Sequence, residues 1–126
     1  MYPRRLFLAA ALVIASAAIA SAQVYPTRTV SIIVGYPAGT PVDTIARVIA
    51  GNLTERIGQP FIVENKPGAG SSIGAAYVAK AAPDGYTLYL SSIANTTNPS
   101  FNKLSFDFAK DLAPISQVCD VPVLLV

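Results

Sequence analysis

Short apolar segments that alternate with helical patterns are the feature that most constrains the fold of this chain. Residues 29–35, 61–64 and 86–90 are brief, rich in aliphatic or aromatic residues, and flanked by glycine or proline, as is typical of buried strands. A helical pattern fills each of the two intervals. Strands joined through helices pair in parallel, because each helix returns the chain to the same end of the sheet. We therefore predict an α/β fold with a mostly parallel sheet and flanking helices.

The first helix has distinct start and stop signals. Thr40 is placed to cap its amino terminus, Pro41 suits its first turn, and Asp43 stands three residues after the cap. Gly58 suits a left-handed cap at its carboxyl end. Apolar residues recur at steps of three and four and predict one buried face, formed by Val42, Ile45, Ala46, Ile49, Leu53 and Ile57.

The middle of the chain is less regular. Residues 73–82 have the composition of a second helix. Residues 94–100 are polar, and we predict no regular element there. Residues 101–114 are predicted to be irregular, with one helical turn around residues 108–112.

The carboxyl-terminal residues are predicted to form strands. Residues 115–119 are a candidate fourth strand, in which Cys119 is expected to pack as an inert side chain. Residues 121–126 form an apolar run with no element after it. Because chain termini are normally solvated, we expect this chain to be truncated.

The first 22 residues have the three parts of an export signal. Arg4 and Arg5 form a basic start, residues 6–20 are almost wholly apolar, and small residues precede a predicted cleavage site before Gln23. The pair of arginines also partly matches the twin-arginine motif, so either the Sec or the twin-arginine route fits. We therefore expect a protein that leaves the cytoplasm and is not embedded in the membrane after cleavage.

Charge and residue usage exclude several classes of function. Without the predicted signal, the chain carries equal numbers of basic and acidic residues, whereas a nucleic-acid partner requires an excess of Lys and Arg. Histidine is absent, which excludes histidine-based catalysis and histidine-ligated metals. A single cysteine excludes an internal disulfide. We expect no metal site and no cofactor.

Glycines and hydroxyls follow each predicted strand, where an open α/β sheet binds its ligands. The loops at 36–40 and 65–72 each run into a helix amino terminus, which presents N–H groups and partial positive charge. Such an edge suits a carboxylate or a phosphate. The structural alternative is that the glycines only make turns, that the hydroxyls cap helices, and that Asp43 is an ordinary acid of a first turn.

Two enzymatic interpretations have weaker support. Residues 68–74 read G-x-G-x-x-x-G, which is related to the glycine motif of dinucleotide-binding proteins. These residues follow the second strand rather than the first, and residues 88–95 contain no acidic residue that could bind the ribose of a dinucleotide. A nucleophile such as Ser71 would need a lysine as its base, and the spacing of Lys66 and Lys80 resembles no Ser-Lys motif. A secreted α/β hydrolase-like enzyme remains the alternative from another class.

Three longer motifs carry a family resemblance. Residues 34–39 (VGYPAG), 63–70 (VENKPGAG) and 79–88 (AKAAPDGYTL) resemble the extracytoplasmic solute receptors of tripartite tricarboxylate transporters, also called the Bordetella uptake gene family. The similarity runs through residues 24–126. It implies a type II-like, two-lobed periplasmic binding protein that captures a small di- or tricarboxylate, or a related organic acid. It also implies delivery to membrane permease subunits by transient contact.

The resemblance assigns domains and site residues. Residues 23–126 would be an incomplete first lobe with the second lobe absent, and the complete receptor would be a monomer. The loop after the first strand would grip the carboxylate, and the glycine loop and the hydroxyls after the third strand would add contacts. The expected ligand-binding residues are Pro37, Ala38, Gly39, Thr40, Asp43, Gly68, Gly70, Ser71, Ser72, Ser91 and Thr96.

Two departures from the family pattern stand out. Thr40 replaces a usual glycine and Pro41 follows it, which removes one N–H donor. The chain is also about a third as long as full receptors of the family. A non-functional receptor remnant is therefore the alternative within the family.

Overall fold

The computed structural model describes residues 25–101 and 103–120. The predicted export signal and the apolar run at 121–126 lie outside these residues. Within the described residues, three strands and three helices alternate, as predicted for an α/β fold. They are β1 (Val30–Val34), α1 (Pro41–Ile57), β2 (Phe61–Asn65), α2 (Ser72–Ala79), β3 (Thr87–Leu90) and α3 (Ile93–Phe101).

The three strands form one parallel sheet in the order β2-β1-β3. In the register, Val30 of β1 pairs with Phe61 of β2, and Ser31 of β1 pairs with Thr87 of β3. The central strand β1 is almost completely buried, and its side chains form the core together with Ala46 and Ala50 of α1. All three strands therefore end at the same edge of the sheet.

Helix α1 begins and ends as predicted. The Thr40 hydroxyl accepts a hydrogen bond from the Asp43 N–H at 3.4 Å, and Pro41 occupies the first turn. Gly58 adopts the left-handed conformation (φ +79°) and donates its N–H to the Thr54 carbonyl at 2.9 Å. Local capping chemistry thus determines both ends of this helix.

The buried face of α1 is narrower than predicted. Its buried residues are Asp43, Ala46 and Ala50, whereas Ile45 is 36% exposed and Ile57 is 44% exposed. The prediction for these two isoleucines is wrong, because β1 and β2 cover only the stripe of the helix that faces them.

Two helices differ from the prediction. Helix α2 ends at Ala79 rather than at residue 82, with Lys80 as its cap and a tight turn from the Ala81 N–H to the Val78 carbonyl. Residues 94–100, predicted to lack regular structure, belong to α3. The Asn95 N–H bonds the Ser92 carbonyl at 3.0 Å where this helix begins.

The predicted fourth strand is wrong. Residues 113–120 form no strand, Ile115 is 79% exposed, and Cys119 is exposed rather than packed. A strand needs a hydrogen-bonding neighbour, and in the part of the chain that the structure describes the three strands pair only with one another. The predicted helical turn does form, because Lys110 and Asp111 donate their N–H groups to the Asp107 carbonyl.

A cluster that we call the amino-edge clasp holds the start of the described chain at the opposite edge of the sheet. Arg28 forms an ion pair with Asp84 at 3.0 Å, and its guanidinium lies 3.9 Å from the centre of the Tyr86 ring. Tyr25 packs edge-on against Tyr86, and its hydroxyl donates to the Gly85 carbonyl. Residues 25–28 are thereby fixed beside the start of β3.

Across the described part of the chain, no helix combines the length and apolar character that crossing a membrane requires.

Candidate functional site

Three loops meet at the carboxyl edge of the sheet. The first loop (residues 36–40) follows β1, the glycine loop (residues 66–71) follows β2, and the third loop (residues 91–92) follows β3. The Tyr36 and Ser92 hydroxyls are 2.6 Å apart, which joins the first loop to the third. Asn65, at the end of β2, donates to the Tyr36 carbonyl at 3.0 Å. The convergence expected from the topology is therefore present.

Gly35, the residue just before the first loop, lies against the backbone of the glycine loop. A Cβ atom placed on Gly35 would lie 2.3 Å from the Ser71 Cβ and 2.9 Å from the Ser71 Cα, distances that no side chain tolerates. On Gly74 of α2, a Cβ atom would lie 3.1 Å from the Gly35 Cα. Close backbone packing at these two glycines thus sets the distance between the two loops.

Asp43 fixes the shape of the first loop from below. This residue is only 2% exposed. Its Oδ2 accepts the Gly39 N–H at 2.8 Å and the Arg47 Nε at 3.0 Å, and its Oδ1 accepts from Arg47 Nη2 and from Asn65. Asp43 is thus an acid of the first helical turn whose carboxylate also bonds the backbone of the first loop.

The protonation of Asp43 follows from these contacts. Hydrogen bonds from the Arg47 guanidinium, and then from the Gly39 N–H and the Asn65 amide, hold the pKa of Asp43 well below its usual range. Its carboxylate therefore stays ionised throughout the neutral range, with both oxygens committed to donors of the protein itself. Asp43 supports the site and does not present a free carboxylate to a ligand.

The glycine loop has an unusual backbone. Four successive residues have positive φ: Gly68, Ala69, Gly70 and Ser71. For Ala69 and Ser71 this conformation is strained, and it persists only where the surroundings enforce it. Part of that enforcement is the Tyr89 hydroxyl, which donates to the Ser71 carbonyl at 3.0 Å. Burial raises the pKa of Tyr89, so the phenol stays protonated as a donor.

The start of α2 offers fewer donors than expected. The N–H groups of Ser72 and Ile73 bond back to the Ala69 and Gly68 carbonyls. The Ser71 side chain makes no capping bond to the helix and is buried with Ser72. The prediction that this helix end presents unpaired N–H groups is thus wrong for these two amides, because the glycine loop folds back onto them.

The predicted site residues therefore form two groups. One group faces solvent and comprises Pro37, Ala38, Gly39, Gly68, Gly70, Ser91 and Thr96. Thr96 lies within α3, and its hydroxyl donates to the Ile93 carbonyl at 2.7 Å. The other group supports the loops from within and comprises Asp43, Ser71 and Ser72. Thr40 is half-buried and belongs to neither group, and its hydroxyl donates a hydrogen bond to the Pro37 carbonyl at 2.9 Å.

Sequence reasoning missed the amides that support the loops. Asn65 links the first loop to the end of β2, and Asn95 and Asn98 of α3 bond the glycine loop. The position of Asn65 as the last residue of a strand was one available signal. The spacing of three between Asn95 and Asn98 was another, because residues at that spacing share one face of a helix.

The charged side chains near this edge are engaged with other groups. Arg47 is paired with Asp43, and Lys66 lies 3.7 Å from Glu64 and 4.2 Å from the centre of the Tyr77 ring. Among residues 25–101 and 103–120, no group of three acidic, cysteine or histidine residues is arranged to hold a metal ion. The polar groups that stay exposed in the three loops include the Ser91 hydroxyl and the backbone of Gly68 and Gly70.

The parallel sheet with its flanking helices has the fold of the periplasmic binding proteins, a class that includes the similar solved structure of BugD. The chain is a member of the family described as tripartite tricarboxylate transporter family receptor, whose profile matches residues 45–126. The resemblance and the predicted fold class are thereby confirmed. The related proteins are solute-binding receptors rather than enzymes.

Individual relatives agree with this assignment. Protein BugT of Bordetella pertussis is 42% identical over 131 residues, which cover 97% of this chain and 39% of BugT. MatC from Rhodopseudomonas palustris with bound malate is 39% identical, with a TM-score of 0.64 over 69% of this chain and 30% of MatC. A second R. palustris protein, with adipate, is 42% identical, with a TM-score of 0.52 over 53% of this chain and 22% of its own. The chain thus spans about two fifths of the length of BugT.

Proposed function

We propose that this chain captures a small dicarboxylate in the periplasm for a tripartite tricarboxylate transporter. The observation that carries the proposal is the convergence of three loops, locked by internal hydrogen bonds, at one edge of the sheet. Two similar structures hold malate and adipate, which are both dicarboxylates. A binding edge that is rigid before the ligand arrives loses little entropy on binding.

The chemistry of the edge supports a carboxylate. The first loop leads into α1 and the glycine loop into α2, so the positive ends of both helix dipoles point toward the site. A carboxylate gains charge-assisted bonds from backbone N–H and hydroxyl donors without needing a cationic side chain. We assign direct contact to the solvent-facing group of residues, and a supporting role to Asp43, Ser71 and Ser72.

The wider assignment follows the same family. We propose that residues 1–22 are an export signal, read by the Sec or the twin-arginine route. Residues 23–126 then correspond to part of the first lobe of a two-lobed receptor, which works as a monomer. Membrane permease subunits are its transient partners, and neither a cofactor nor a nucleic acid takes part.

Ligand binding is tested by thermal melting. The chain is produced with its own leader and purified from the periplasmic fraction, and its mass shows whether cleavage falls before Gln23. We expect malate, succinate or adipate at about 100 times Kd to raise Tm by roughly 10–20 °C, because a ligand that binds only the folded state stabilises it.

The neutral diamide of the best ligand is the matched control. It keeps the carbon skeleton but lacks charge, so we expect it to leave Tm unchanged. A Tm that no dicarboxylate raises, or that the diamide raises equally, would contradict the proposal of carboxylate capture.

A further inference from the structure

One hydrogen-bonded path connects all three loops of the site. The Tyr36 hydroxyl of the first loop bonds the Ser92 hydroxyl at 2.6 Å. The Ser92 N–H donates to Asn95 Oδ1 at 3.0 Å, and Asn95 Nδ2 donates to Ser71 Oγ at 2.7 Å. Asn95 therefore links the glycine loop to the third loop and, through the Ser92 hydroxyl, to the first loop.

The orientation of the Asn95 amide is fixed by its neighbours. The Ser92 N–H can only donate, so the oxygen of the amide must face it, and the NH₂ group must face Ser71. Asn95 is 2% exposed and lies beneath the loops. It acts on the site through Ser71 and not by touching a ligand.

A second asparagine on the same face of α3 acts on the neighbouring residues. Asn98 Nδ2 donates to the Gly70 carbonyl at 2.6 Å and to the Ser72 hydroxyl at 2.9 Å. These contacts bracket Ser71, whose φ of +68° is strained for a residue with a side chain. Helix α3 thus supplies bonds that hold the glycine loop in a conformation it would not adopt alone.

We infer that Asn95 is a positioning residue, which holds the glycine loop in its strained conformation and in place beside the other two loops, and so shapes the carboxylate site. This role rests on the proposed function, because the shaped edge is the one assigned to the ligand. Loops that carry binding groups need supporting contacts of this kind, since small displacements weaken every contact to the ligand together. Residues 94–100 therefore contribute to ligand recognition through buried contacts, without touching the ligand.

The test compares N95A with T97A. Thr97 lies on the same helix, is exposed, and bonds only carbonyls of α3 itself. Calorimetry gives the Kd for malate, and NMR gives the amide positions of Gly68 and Gly70 without ligand. We expect N95A to move both amides and to weaken malate binding about five- to tenfold, the effect of one lost hydrogen bond, while T97A changes neither.

A second variant, Y36F, cuts the same path at its far end. It removes one hydroxyl and leaves the ring in place, so the fold is not at risk. The Tyr36 hydroxyl bonds Ser92 and does not touch the glycine loop. We nevertheless expect Y36F to move the Gly70 amide, because Ser92 is connected to the glycine loop through Asn95. Should N95A fail to fold, the amide positions in Y36F decide the question.

The outcomes separate this role from the proposed function. If the wild-type chain binds no carboxylate, the proposed function is wrong, and the amide positions of the ligand-free variants still test the positioning role. The role is overturned if the Gly68 and Gly70 amides coincide with those of the wild type in the folded variants. A lower Tm for N95A with an unchanged Kd for malate would also overturn it.

Discussion

Replacing Gly35 by alanine is expected to lower the free energy of unfolding by about 3 kcal/mol, near the upper end for overpacked sites. The added Cβ would lie 2.3 Å from the Ser71 Cβ and 2.9 Å from the Ser71 carbonyl oxygen. Because the obstacle is backbone as well as side chain, no rotamer change relieves the clash. For a domain of this size we expect a fall in Tm of roughly 10–20 °C, measured by differential scanning calorimetry.

Gly51→Ala is the matched control for this substitution. Gly51 lies in the middle of α1, is exposed, and has no atom within 4 Å of an added Cβ. Alanine there removes backbone freedom from the unfolded chain and should stabilise the protein by about 1 kcal/mol. The same chemical change should thus have opposite signs at the two sites. A Gly35→Ala protein that melts with or above the wild type would show that the two loops are not in close contact.

Replacing Asp43 by asparagine is the second substitution with a large expected effect. Each carboxylate oxygen accepts two hydrogen bonds, from Arg47 together with either Gly39 or Asn65. An amide NH₂ in place of either oxygen would face two donors. We expect a fall in Tm of roughly 5–10 °C at pH 7, and weaker binding of any carboxylate that the first loop contacts.

The pH dependence of Tm shows whether the ionised carboxylate of Asp43 is the cause of this loss of stability. The pKa of Asp43 is lower in the folded chain than the value of about 3.9 for a free aspartate. The stability that its ionised form contributes is therefore fully present above about pH 4 and is lost as the pH falls further. The difference in Tm between the wild type and D43N should be constant from pH 7 to 5 and should shrink below pH 4.

Glu55→Gln serves as the control for charge. Glu55 is exposed on the same helix, so its neutralisation removes a negative charge from α1 without disturbing the first loop. We expect its Tm to follow that of the wild type at every pH. If E55Q and D43N melted alike, the charge of the helix would explain the effect and the hydrogen bonds of Asp43 would not.

The predictable part of the fold is the part that local chemistry determines. The ends of α1 follow from Thr40, Pro41 and Gly58, whose side chains or φ preferences act within one turn. Helix α3 was missed because Asn and Thr favour other conformations, and tertiary bonds from Asn95 and Asn98 to the glycine loop stabilise it instead. The composition of residues 115–119 favours a strand, but composition cannot supply the neighbour that a strand requires.

The meeting of the three loops was predictable from the sequence, but the surroundings of their side chains were not. Parallel topology alone brings the three loops to one edge, and the glycines and hydroxyls mark them. Which hydroxyls face solvent depends on backbone angles at residues 69–71, and two of these residues adopt a left-handed conformation that their type does not indicate. Ser71 therefore points inward while Ser91 stays exposed.

The amino-edge clasp has a practical consequence for building a sensor from this protein. Tyr25 and Arg28 are fixed against Tyr86, on the side of the sheet opposite the three loops. The strands separate the two sides by about 15 Å, the length of four or five extended residues. A tether attached ahead of Tyr25 would therefore start on the far side from the three loops. Molecules grafted to an electrode or a chip through that end would present the three loops outward, toward the sample.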